Sequence, residues 1–574
     1  MTRPSFGTAL RPGLAALHRR DGPALRGDLL AGLTVAAYLV PQVLAYAELA
    51  GLAPAVGLWA VVTALVVYAV LGSSPQLSVG PESTTALMTA VAIAPLAGAD
   101  PGRYAALAAG LALMVGGICL LGRVARLGFL ADLLSRPVLV GYLTGIALIM
   151  IVSQLENMTG VPVEGSTFPP DLASFATHLG SVHLPTVLLG TSVLAFLLVG
   201  SRLLPRAPIP LLGVLLATAA VGALALSRYG IETVGPVPAG LPRPALPALG
   251  PDDLAQLILP AIGVAIVGYS DNVLTGRAFA THHRENIDAD QEMLALGAAN
   301  VVVGLFHGFP VSSSGSRTVI GDALGSRSQL YSLVALVAVL AVLLVGGPVL
   351  AAFPTAALGA LVIYAALRLI ELGEFRRIAR FRRTELALAL ATTAAVISLG
   401  VLYGVLAAVA LSILDLLRRV SRPHDGILGF APGLAGMHDI DDYPDATVVP
   451  GLVVYRYDAP LCFANAENFH RRALAALDDA PSAPSWLLLN VEAFTDVDLT
   501  ATDMLHQLHD ELARRRIVLA LARVKQELRA SLQASGLLTR IGEDRIFPTL
   551  PTAVQAFHAE HGPPGSAGLS RSAG

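Results

Sequence analysis

The chain has 574 residues, of which 54% are hydrophobic and only 14% are charged, with a formal net charge of -3. Its mean hydropathy of +0.67 excludes a water-soluble protein for most of this length. Two cysteines, Cys119 and Cys462, are too few for a disulfide framework or a cysteine-based zinc site. We therefore expect a membrane protein, and the small net charge gives no reason to expect a nucleic-acid partner.

Apolar runs close to the roughly 20 residues that cross a bilayer recur from Leu29 to about Leu417. Breaks at Gly, Pro and charged residues divide this region into fourteen predicted spans. They begin near Leu29, Ala55, Glu82, Tyr104, Val138, Leu184, Ile209, Leu257, Leu294, Ser314, Leu330, Ala351, Leu386 and Val405. The first apolar run leads directly into further spans, so we expect it to be retained rather than cleaved as a signal peptide.

The loop arginines indicate how the spans are oriented. Connectors after even-numbered spans are rich in arginine, whereas connectors after odd-numbered spans carry only Arg103, Arg228 and Arg243. Because arginine-rich loops stay in the cytoplasm, this bias predicts cytoplasmic N- and C-termini. The chain is thus predicted to be a multi-pass protein of the cell membrane, with residues 1–28 as a cytoplasmic segment.

The third and tenth predicted spans are short, and Gly and Pro interrupt the apolar pattern before each of them, in "LSVGPESTTALM" and "GFPVSSSGSRT". Paired short segments in matching halves are typical of transporters built from inverted repeats, whose substrate site lies between them. Helix N-termini in mid-membrane favour an anion. Ser, Thr and Gly also cap and pack membrane helices without any further role, but a charge such as Arg317 within a span indicates function.

Two further pairs of polar residues lie in the first and eighth predicted spans. Gln42 and Tyr46 are four residues apart, and Asp271 and Thr275 have the same spacing. Residues four apart share one helix face. We therefore expect all four side chains to line a cavity between the two broken spans.

The character of the chain changes after about Arg422. Short β-branched runs such as "SWLLLN" and "IVLALARV" alternate with amphipathic helical segments. This pattern predicts a soluble α/β domain over residues 436–560, after a transmembrane transport domain over residues 29–420. The low-complexity tail, residues 561–574, is predicted to be disordered.

The stretches "PQVLAYAELAGLAPAVGLWA", "LSVGPESTTALM" and "ANVVVGLFHGFPVSSSGSRT", in this order and before the α/β domain, resemble the sulfate permease (SulP) family of anion transporters. The resemblance implies an all-α membrane domain of fourteen spans in a 7+7 inverted repeat, followed by a STAS domain. It further implies a core of spans 1–4 and 8–11, a gate of spans 5–7 and 12–14, elevator-like alternating access and a homodimer. A STAS domain implies regulatory protein partners.

The family's anion positions correspond here to the first span, the start of the third and the start of the tenth. With the hydroxyls at both helix starts, the predicted anion site comprises Gln42, Tyr46, Ser83, Thr84, Ser313, Ser314, Gly315, Ser316 and Arg317. "GYSDNVLTG" resembles the eighth span of symporting members, which implies cation coupling at Asp271, with Thr275 as a second ligand if the cation is Na⁺. A structural salt bridge between Asp271 and Arg317 is the alternative.

Glu82 departs from the family, many members of which have a neutral residue after the Gly-Pro that opens the third span. A carboxylate at a helix N-terminus is favourable, yet it competes with an anionic substrate for the same positive potential. Three interpretations stay open at this point. Glu82 pairs with Arg317, or it is a second protonatable group, or it faces away and caps its helix.

The leading hypothesis is secondary active transport of a small anion coupled to H⁺ or Na⁺, with sulfate the commonest family substrate. Bicarbonate or a C4-dicarboxylate is an alternative, as are an uncoupled anion channel or exchanger and a membrane sensor. We expect no enzymatic activity, metal centre or cofactor, because no nucleophile–base pair or metal-ligand cluster is evident. Thr500 lies where anti-sigma antagonists carry a phosphorylated serine, which makes it a regulatory candidate, and His282 and His283 are expected in a solvated loop.

Overall fold

The computed structural model describes residues 22–98, 100–129, 135–163, 168–204 and 207–562. Most of the predicted N-terminal segment and residues 563–574 of the predicted disordered tail lie outside these ranges. The chain divides into two compact units, Met1–Ser412 and Ile413–Gly574. Each unit is described by itself.

The first unit is almost entirely helical. Its helices are α1 (Gly22–Leu49), α2 (Pro54–Leu71), α3 (Ser83–Ala97), α4 (Pro101–Val124), α5 (Arg136–Ser153), α6 (Leu155–Thr159), α7 (Phe168–Thr177), α8 (Leu184–Leu203), α9 (Ile209–Ala223), α10 (Pro251–His283), α11 (Ala289–Leu305), α12 (Gly315–Ala323), α13 (Leu330–Val345), α14 (Gly347–Ala351), α15 (Thr355–Leu369), α16 (Leu372–Phe381) and α17 (Arg383–Ser421). Helix α17 continues into the second unit. Gly400, with φ 80° and ψ 170°, separates it into two helical segments, each beginning a few residues before a predicted span start.

Eight helices within the described ranges are long and apolar enough to cross a membrane. Three more, α3, α9 and α13, are apolar but shorter. The multi-pass membrane character is therefore plain, whereas the count of fourteen spans and the inverted repeat stay predictions. Helices α3 and α12 have only 15 and 9 residues. At ~1.5 Å per residue neither crosses a ~30 Å hydrocarbon core.

The first unit also contains a buried two-stranded antiparallel ladder. Strand β1 (Val79–Gly80) pairs with β2 (Ser312–Ser313), with Val79 opposite Ser313 and Gly80 opposite Ser312. The amide of Ser314 extends the ladder by donating to the carbonyl of Ser78 at 2.8 Å. Because each strand leads into a short helix, the ladder brings the starts of α3 and α12 together, and we call these two helices the half-helices.

The second unit has a six-stranded mixed sheet with the strand order β4-β3-β5-β6-β7-β8. The strands are β3 (Asp425–Phe430), β4 (Met437–Asp439), β5 (Leu452–Tyr457), β6 (Trp486–Asn490), β7 (Val518–Ala522) and β8 (Ile546–Phe547). The helices are α18 (Ala466–Asp478), α19 (Leu499–Arg514), α20 (Gln526–Ala534), α21 (Leu537–Ile541) and α22 (Leu550–His561).

Strands β5 to β8 are parallel, and β3 is antiparallel to both of its neighbours. Parallel neighbours need crossover connections, which α18, α19 and the α20–α21 pair supply. Apolar clusters cover both faces of the sheet, and every residue of β6 is buried. This fold agrees with the alternation of strands and amphipathic helices in the sequence.

Candidate functional site

Arg317, in the first turn of α12, reaches across to the residues that lead into α3. Its Nε donates to Ser78 Oγ at 3.2 Å, and its Nη1 donates to the carbonyl of Pro81 at 3.0 Å. The guanidinium is fully buried, and Nη2 has no hydrogen-bond partner. A buried guanidinium in a membrane domain is costly unless it is paired, so this unpaired donor is a candidate for binding a ligand.

Gly80 makes room for this arginine. A Cβ added at Gly80 would lie 3.4 Å from Arg317 Nη2 and 3.0 Å from Val61 Cγ2. The guanidinium is therefore packed directly against the β1 backbone. A glycine at this position allows the positive charge of one half-helix to lie beside the other.

The two half-helices begin differently. Helix α3 is capped by Glu82, whose Oε2 accepts from the amide of Thr84 at 2.7 Å and whose Oε1 accepts from Ser83 Oγ at 2.5 Å. Helix α12 has Ser314 at its N-cap, but the Ser314 side chain accepts no hydrogen bond from the helix amides. The first amides of a helix have no partner within the helix. The first amides of α12 therefore have no side-chain acceptor, whereas the first amides of α3 have Glu82.

The start of α12 faces open space. Gly315 and Ser316 are exposed, whereas Ser314 is buried beside them. A Cβ added at Gly315 would meet no atom within 4 Å. Ser314 Oγ and Ser316 Oγ lie 3.3 Å apart. This helix N-terminus thus offers amides and hydroxyls to an anion.

Asp271, in α10, contacts the same segment. Its Oδ2 accepts a hydrogen bond from Ser313 Oγ at 2.9 Å. One turn earlier, a Cβ added at Gly268 would lie 3.4 Å from Ser312 Cβ and 3.8 Å from Thr85 Cγ2, so α10 passes both half-helix starts. The predicted neighbourhood of Asp271 and the α12 start is therefore present.

Two of the ion pairs considered from the sequence do not form within the described residues. Arg317 donates to a hydroxyl and a carbonyl rather than to Glu82 or Asp271. Glu82 binds the adjacent amide and hydroxyl at the start of its own helix, where unpaired donors lie within reach of a short side chain. Glu82 thus caps α3, as one interpretation held, and the residue before it, Pro81, accepts a hydrogen bond from Arg317.

Gln42 and Tyr46 bring α1 to the site. Both are buried, the Tyr46 hydroxyl lies within Coulombic range of Glu82 and Arg317, and Gln42 Oε1 has no hydrogen-bond partner. Thr84 and Ser83 are buried at the start of α3. Thr275 is partly buried, and the described structure gives its hydroxyl no hydrogen bond. Its pairing with Asp271 around a cation stays a prediction.

The sequence interpretation missed Ser78 and Tyr142. Ser78 is a partner of Arg317, and its position just before Gly80-Pro81 was the available signal. Tyr142, buried in α5, lies within Coulombic range of both Glu82 and Asp271, and its hydroxyl contacts Met88 Sδ at 3.4 Å. Nothing in the apolar pattern of α5 indicates this approach.

Glu292 was also missed. It is fully buried in α11 and accepts from the Tyr68 hydroxyl at 2.9 Å, from the Ser73 amide at 2.8 Å and hydroxyl at 2.7 Å, and from Asn272 Nδ2 at 2.6 Å. An acidic residue in an apolar helix was the signal for it. Asn272 is the residue after Asp271, so its hydrogen bond to the Glu292 carboxylate fixes α10 next to Asp271.

The expectation of a solvated loop is wrong for His283, which is the last residue of α10. Its Nε2 lies 2.6 Å from Asp322 Oδ1 beyond the first turns of α12, and Arg327 Nη1 lies 2.9 Å from its Nδ1. The side chain is mostly buried. Asp322 and Arg327 lie 39 and 44 residues further along the chain than His283, so the sequence did not indicate them as its partners. The side chain of His282 lies outside the described residues.

In the second unit, Thr500 is exposed in the first turn of α19. The N-cap is Asp498, whose Oδ1 accepts from the amide of Ala501 at 2.8 Å, so the helix does not depend on Thr500 for capping. Asp425 accepts from Arg472 Nε at 2.9 Å and from the Tyr455 hydroxyl at 2.7 Å. Burial and this carboxylate raise the pKa of Tyr455, and Asp425 raises the pKa of Arg472. Because Arg472 belongs to α18 and Asp425 to β3, these contacts hold α18 against the sheet.

The first unit is a polytopic helical domain in which two half-helices meet near a buried arginine and the aspartate of a third helix. These are the features of a membrane transport protein for anions. Residues 25–392 match the Sulfate permease family, and residues 443–553 match the STAS domain. The chain belongs to the sulfate permease family. The prediction of this family with a C-terminal STAS domain is confirmed.

The relatives cover nearly the whole chain. A probable sulfate transporter of Mycobacterium tuberculosis (strain CDC 1551 / Oshkosh) is 62% identical over 95% of this chain and 98% of its own. Probable sulfate transporter 4.2 of Arabidopsis thaliana is 32% identical over 92% of this chain and 80% of its own. These relatives are transporters rather than enzymes, and nothing indicates a catalytic activity.

The same fold occurs in a solved structure. The murine Solute Carrier 26 family member A9 anion transporter, solved in the inward-facing state, has a TM-score of 0.89 at 23% identity, covering 97% of this chain and 95% of its own. At this identity the likeness concerns the fold alone. It includes the helical membrane domain and the STAS domain.

Proposed function

We propose that this protein is a secondary active transporter that carries sulfate across the cell membrane together with H⁺ or Na⁺. The observation that carries the proposal is the hydrogen bond from Ser313 Oγ to Asp271 Oδ2. It joins an acidic side chain able to take a cation to the segment that begins the uncapped half-helix. A cation at Asp271 and an anion at the α12 start would then be neighbours.

The anion is held at the start of α12. Gly315 and Ser316 lie at the open space, Ser314 Oγ lies 3.3 Å from Ser316 Oγ, and the Nη2 of Arg317 in the same helix turn is unpaired. Gln42, Tyr46, Ser83, Thr84, Ser313 and Gly315 complete the proposed site. The names of the relatives support sulfate as the anion.

The charges around the site support coupling. Glu82 interacts electrostatically with one positive side chain, Arg317, and with a second acidic one, Asp271. A divalent anion entering such a site meets net negative charge when both carboxylates are ionised. Because Coulombic energies are large where water is excluded, a bound cation or proton offsets this repulsion. Asp271, with Thr275 for Na⁺, and Glu82 are the proposed coupling groups.

The proposed architecture is a 7+7 inverted repeat of fourteen spans with a core (spans 1–4 and 8–11) that moves against a gate (spans 5–7 and 12–14). The antiparallel ladder between the start of the third span and the start of the tenth supports this arrangement. We propose elevator-type alternating access, a homodimer, cytoplasmic termini, and binding of regulatory proteins by the STAS domain, with Thr500 as its regulatory residue.

Transport by the purified full-length protein in proteoliposomes tests this function. Sulfate uptake is expected to exceed equilibrium when an inward H⁺ or Na⁺ gradient is imposed, and the two gradients are varied separately. Bicarbonate, succinate and fumarate in the same assay test the alternative symported substrates. Uptake of sulfate that only dissipates its own gradient, with no response to either cation, would establish an uncoupled channel or exchanger instead.

A further inference from the structure

Helix α16 has no part in the proposed transport site. It joins α15 to α17, and both of these neighbours belong to segments that are apolar enough to cross a bilayer. The backbone leaves helical geometry on either side of α16, at Ile370 (φ −84°, ψ 95°) and at Arg382 (φ −153°, ψ 130°). Several arginines within its 10 residues make α16 itself costly to place in the hydrocarbon core. Its position between two membrane helices therefore places it at the boundary between bilayer and water.

The two sides of α16 differ in polarity. Ile378 is buried, and Glu374 accepts from Arg136 Nε at the start of α5 at 2.9 Å, so one side of the helix is held by the protein. Arg376 and Arg380 are four residues apart and therefore share a face. Each is two residues from Ile378, which places this face on the opposite side, and both arginines are exposed. Helix α16 thus packs on one side and presents positive charge on the other.

Most of this positive charge is not neutralised by the protein. Arg377 pairs with Glu374 at 3.4 Å. Among the residues that the structure describes, no ion pair includes the exposed arginines Arg376, Arg380 and Arg383. Unpaired arginines next to a membrane helix attract the anionic head groups of phospholipids.

Large apolar side chains lie at both ends of α16. Leu372, its first residue, is 62% exposed, and Phe381, its last, is 67% exposed. At the surface of a bilayer such side chains reach the acyl chains beside the head groups, and arginines together with Leu and Phe are typical of helices that lie in this plane. Positive-inside topology accounts for arginines in a connector, but it does not account for exposed apolar side chains beside them. The combination favours a lipid over a soluble anion or an acidic protein.

We propose that α16 and the first residue of α17 form a binding site for an anionic phospholipid of the surrounding bilayer. Arg376, Arg380 and Arg383 bind the phosphate of the head group, and Leu372 and Phe381 contact the acyl chains. The inference does not depend on which anion is transported or on which cation is coupled to it.

Binding of phosphatidylglycerol with a fluorescent acyl chain to the purified full-length protein in detergent tests this site. The wild type is expected to bind it about tenfold more tightly than phosphatidylcholine with the same label, because only phosphatidylglycerol carries a net negative charge. The double variant Arg376→Gln/Arg380→Gln is expected to lose this difference and to bind phosphatidylglycerol about tenfold more weakly. Equal affinities of the wild type for the two lipids, or of wild type and double variant for phosphatidylglycerol, would overturn the proposal.

The matched control is Arg514→Gln/Arg529→Gln in the second unit, which changes the net charge of the chain by the same amount. Both arginines are exposed at least in part and pair with acidic neighbours, Glu511 and Glu543. Lipid binding is expected to equal that of the wild type. If this control weakened phosphatidylglycerol binding as much as the α16 variant does, the overall charge of the chain would be the cause and the proposed site would be wrong.

A second set of measurements separates a lipid from the other occupants. Leu372→Ser is expected to weaken phosphatidylglycerol binding about threefold, because an acyl contact is lost. Inorganic phosphate is expected to displace the lipid only weakly, and complete displacement would identify a site for a soluble anion instead. Thermal unfolding shows that each variant is folded, and gel filtration reports its oligomeric state. If Arg376→Gln/Arg380→Gln dissociated a dimer and left lipid affinity unchanged, a second copy of the chain would be the occupant and the lipid proposal would be wrong.

Discussion

The starts of α3 and α12 lie side by side, joined by the two-residue strands that precede them. Each half-helix follows a turn rich in Gly, Pro and Ser, and each has hydroxyl residues in its first turn. Their side chains nevertheless create opposite electrostatic conditions. Helix α3 has a carboxylate on its amides, whereas α12 has no side-chain cap and contributes a buried arginine.

This difference shows that two helices with similar backbone polarity need not be equivalent parts of a site. The positive potential of a helix N-terminus follows from its backbone and is present in both. The side chain next to it decides whether that potential is already neutralised. The proposed function therefore places the anion at the free donors of α12, and the following predictions test this asymmetry.

The largest effect is expected from Arg317→Ala, which removes the positive charge of α12. Charge-assisted hydrogen bonds are the strong ones in a buried site, so sulfate affinity is expected to fall about a hundredfold, or about 2.7 kcal/mol. Equilibrium binding to the purified protein measures this. Arg317→Lys, which keeps the charge but not the forked geometry, is expected to lose less.

The control for this charge is Arg136→Ala. Arg136 is exposed, and its Nε donates to Glu374 at 2.9 Å at the surface of the unit. Exposed ion pairs contribute little, so sulfate binding is expected to stay unchanged. If Arg317→Ala also bound sulfate with unchanged affinity, Arg317 would not belong to the anion site, and the proposed difference between the two half-helices would be wrong.

The next effect concerns the acid beside α12. Asp271→Asn keeps an acceptor for Ser313 Oγ but cannot take up a proton or neutralise Na⁺. Uphill sulfate uptake into proteoliposomes is expected to be lost, while binding or exchange of sulfate persists. Asp253→Asn serves as a control on the same helix, because Asp253 pairs with Arg103 near the helix start. A mutant at Asp271 that still concentrates sulfate would refute the coupling role.

A smaller effect is expected where β1 packs against the arginine. Gly80→Ala places a methyl group 3.4 Å from Arg317 Nη2 and 3.0 Å from Val61 Cγ2, so the guanidinium or the strand must shift. Sulfate affinity is expected to fall by about threefold to tenfold in the binding assay. Gly117→Ala in α4, where a Cβ meets nothing within 4 Å, is expected to leave it unchanged. Equal affinities in both variants would mean that the close contact is not needed.

The smallest effect is expected at an acidic helix cap of the second unit, Asp498. Asp498→Ala removes the acceptor for the Ala501 amide and is expected to cost about 1 kcal/mol of stability in the STAS domain. Thr500→Ala is expected to cost almost nothing, since Thr500 is exposed. Thermal unfolding of the purified protein measures both. Phosphoproteomics tests Thr500 as a regulatory site, and absence of phosphate under all growth conditions would count against it.

Much of the fold was predictable because local patterns carry it. Apolar runs interrupted by Gly and Pro indicated where helices begin. The short third and tenth predicted spans correspond to the half-helices α3 and α12. The alternation after Arg422 indicated the mixed α/β domain. The sequence alone also singled out Arg317 as a candidate functional group, because a charge in an apolar region is costly wherever its partners lie.

The partners of these charges were less predictable. Pairing of Glu82 with Arg317 was one of three open interpretations, and Glu82 caps its own helix instead. His283 was expected in solvent and pairs with Asp322. Tyr142 comes to the site from an apolar helix that carries no local signal. For His283 and Tyr142 the partners depend on distances between segments that are remote in the chain, whereas Glu82 binds its own neighbours because Arg317 bonds elsewhere.

The sequence by itself determined that this chain spans a membrane, that it belongs to the sulfate permease family, and that two interrupted helices carry hydroxyls and one arginine. Those conclusions follow from hydrophobicity, backbone polarity and the cost of charge, which act locally. Only the tertiary structure decided that Arg317 binds the Ser78 and Pro81 segment and leaves Nη2 free. It also decided that one half-helix is occupied by its own carboxylate, because hydrogen bonds form between the groups that packing brings within reach.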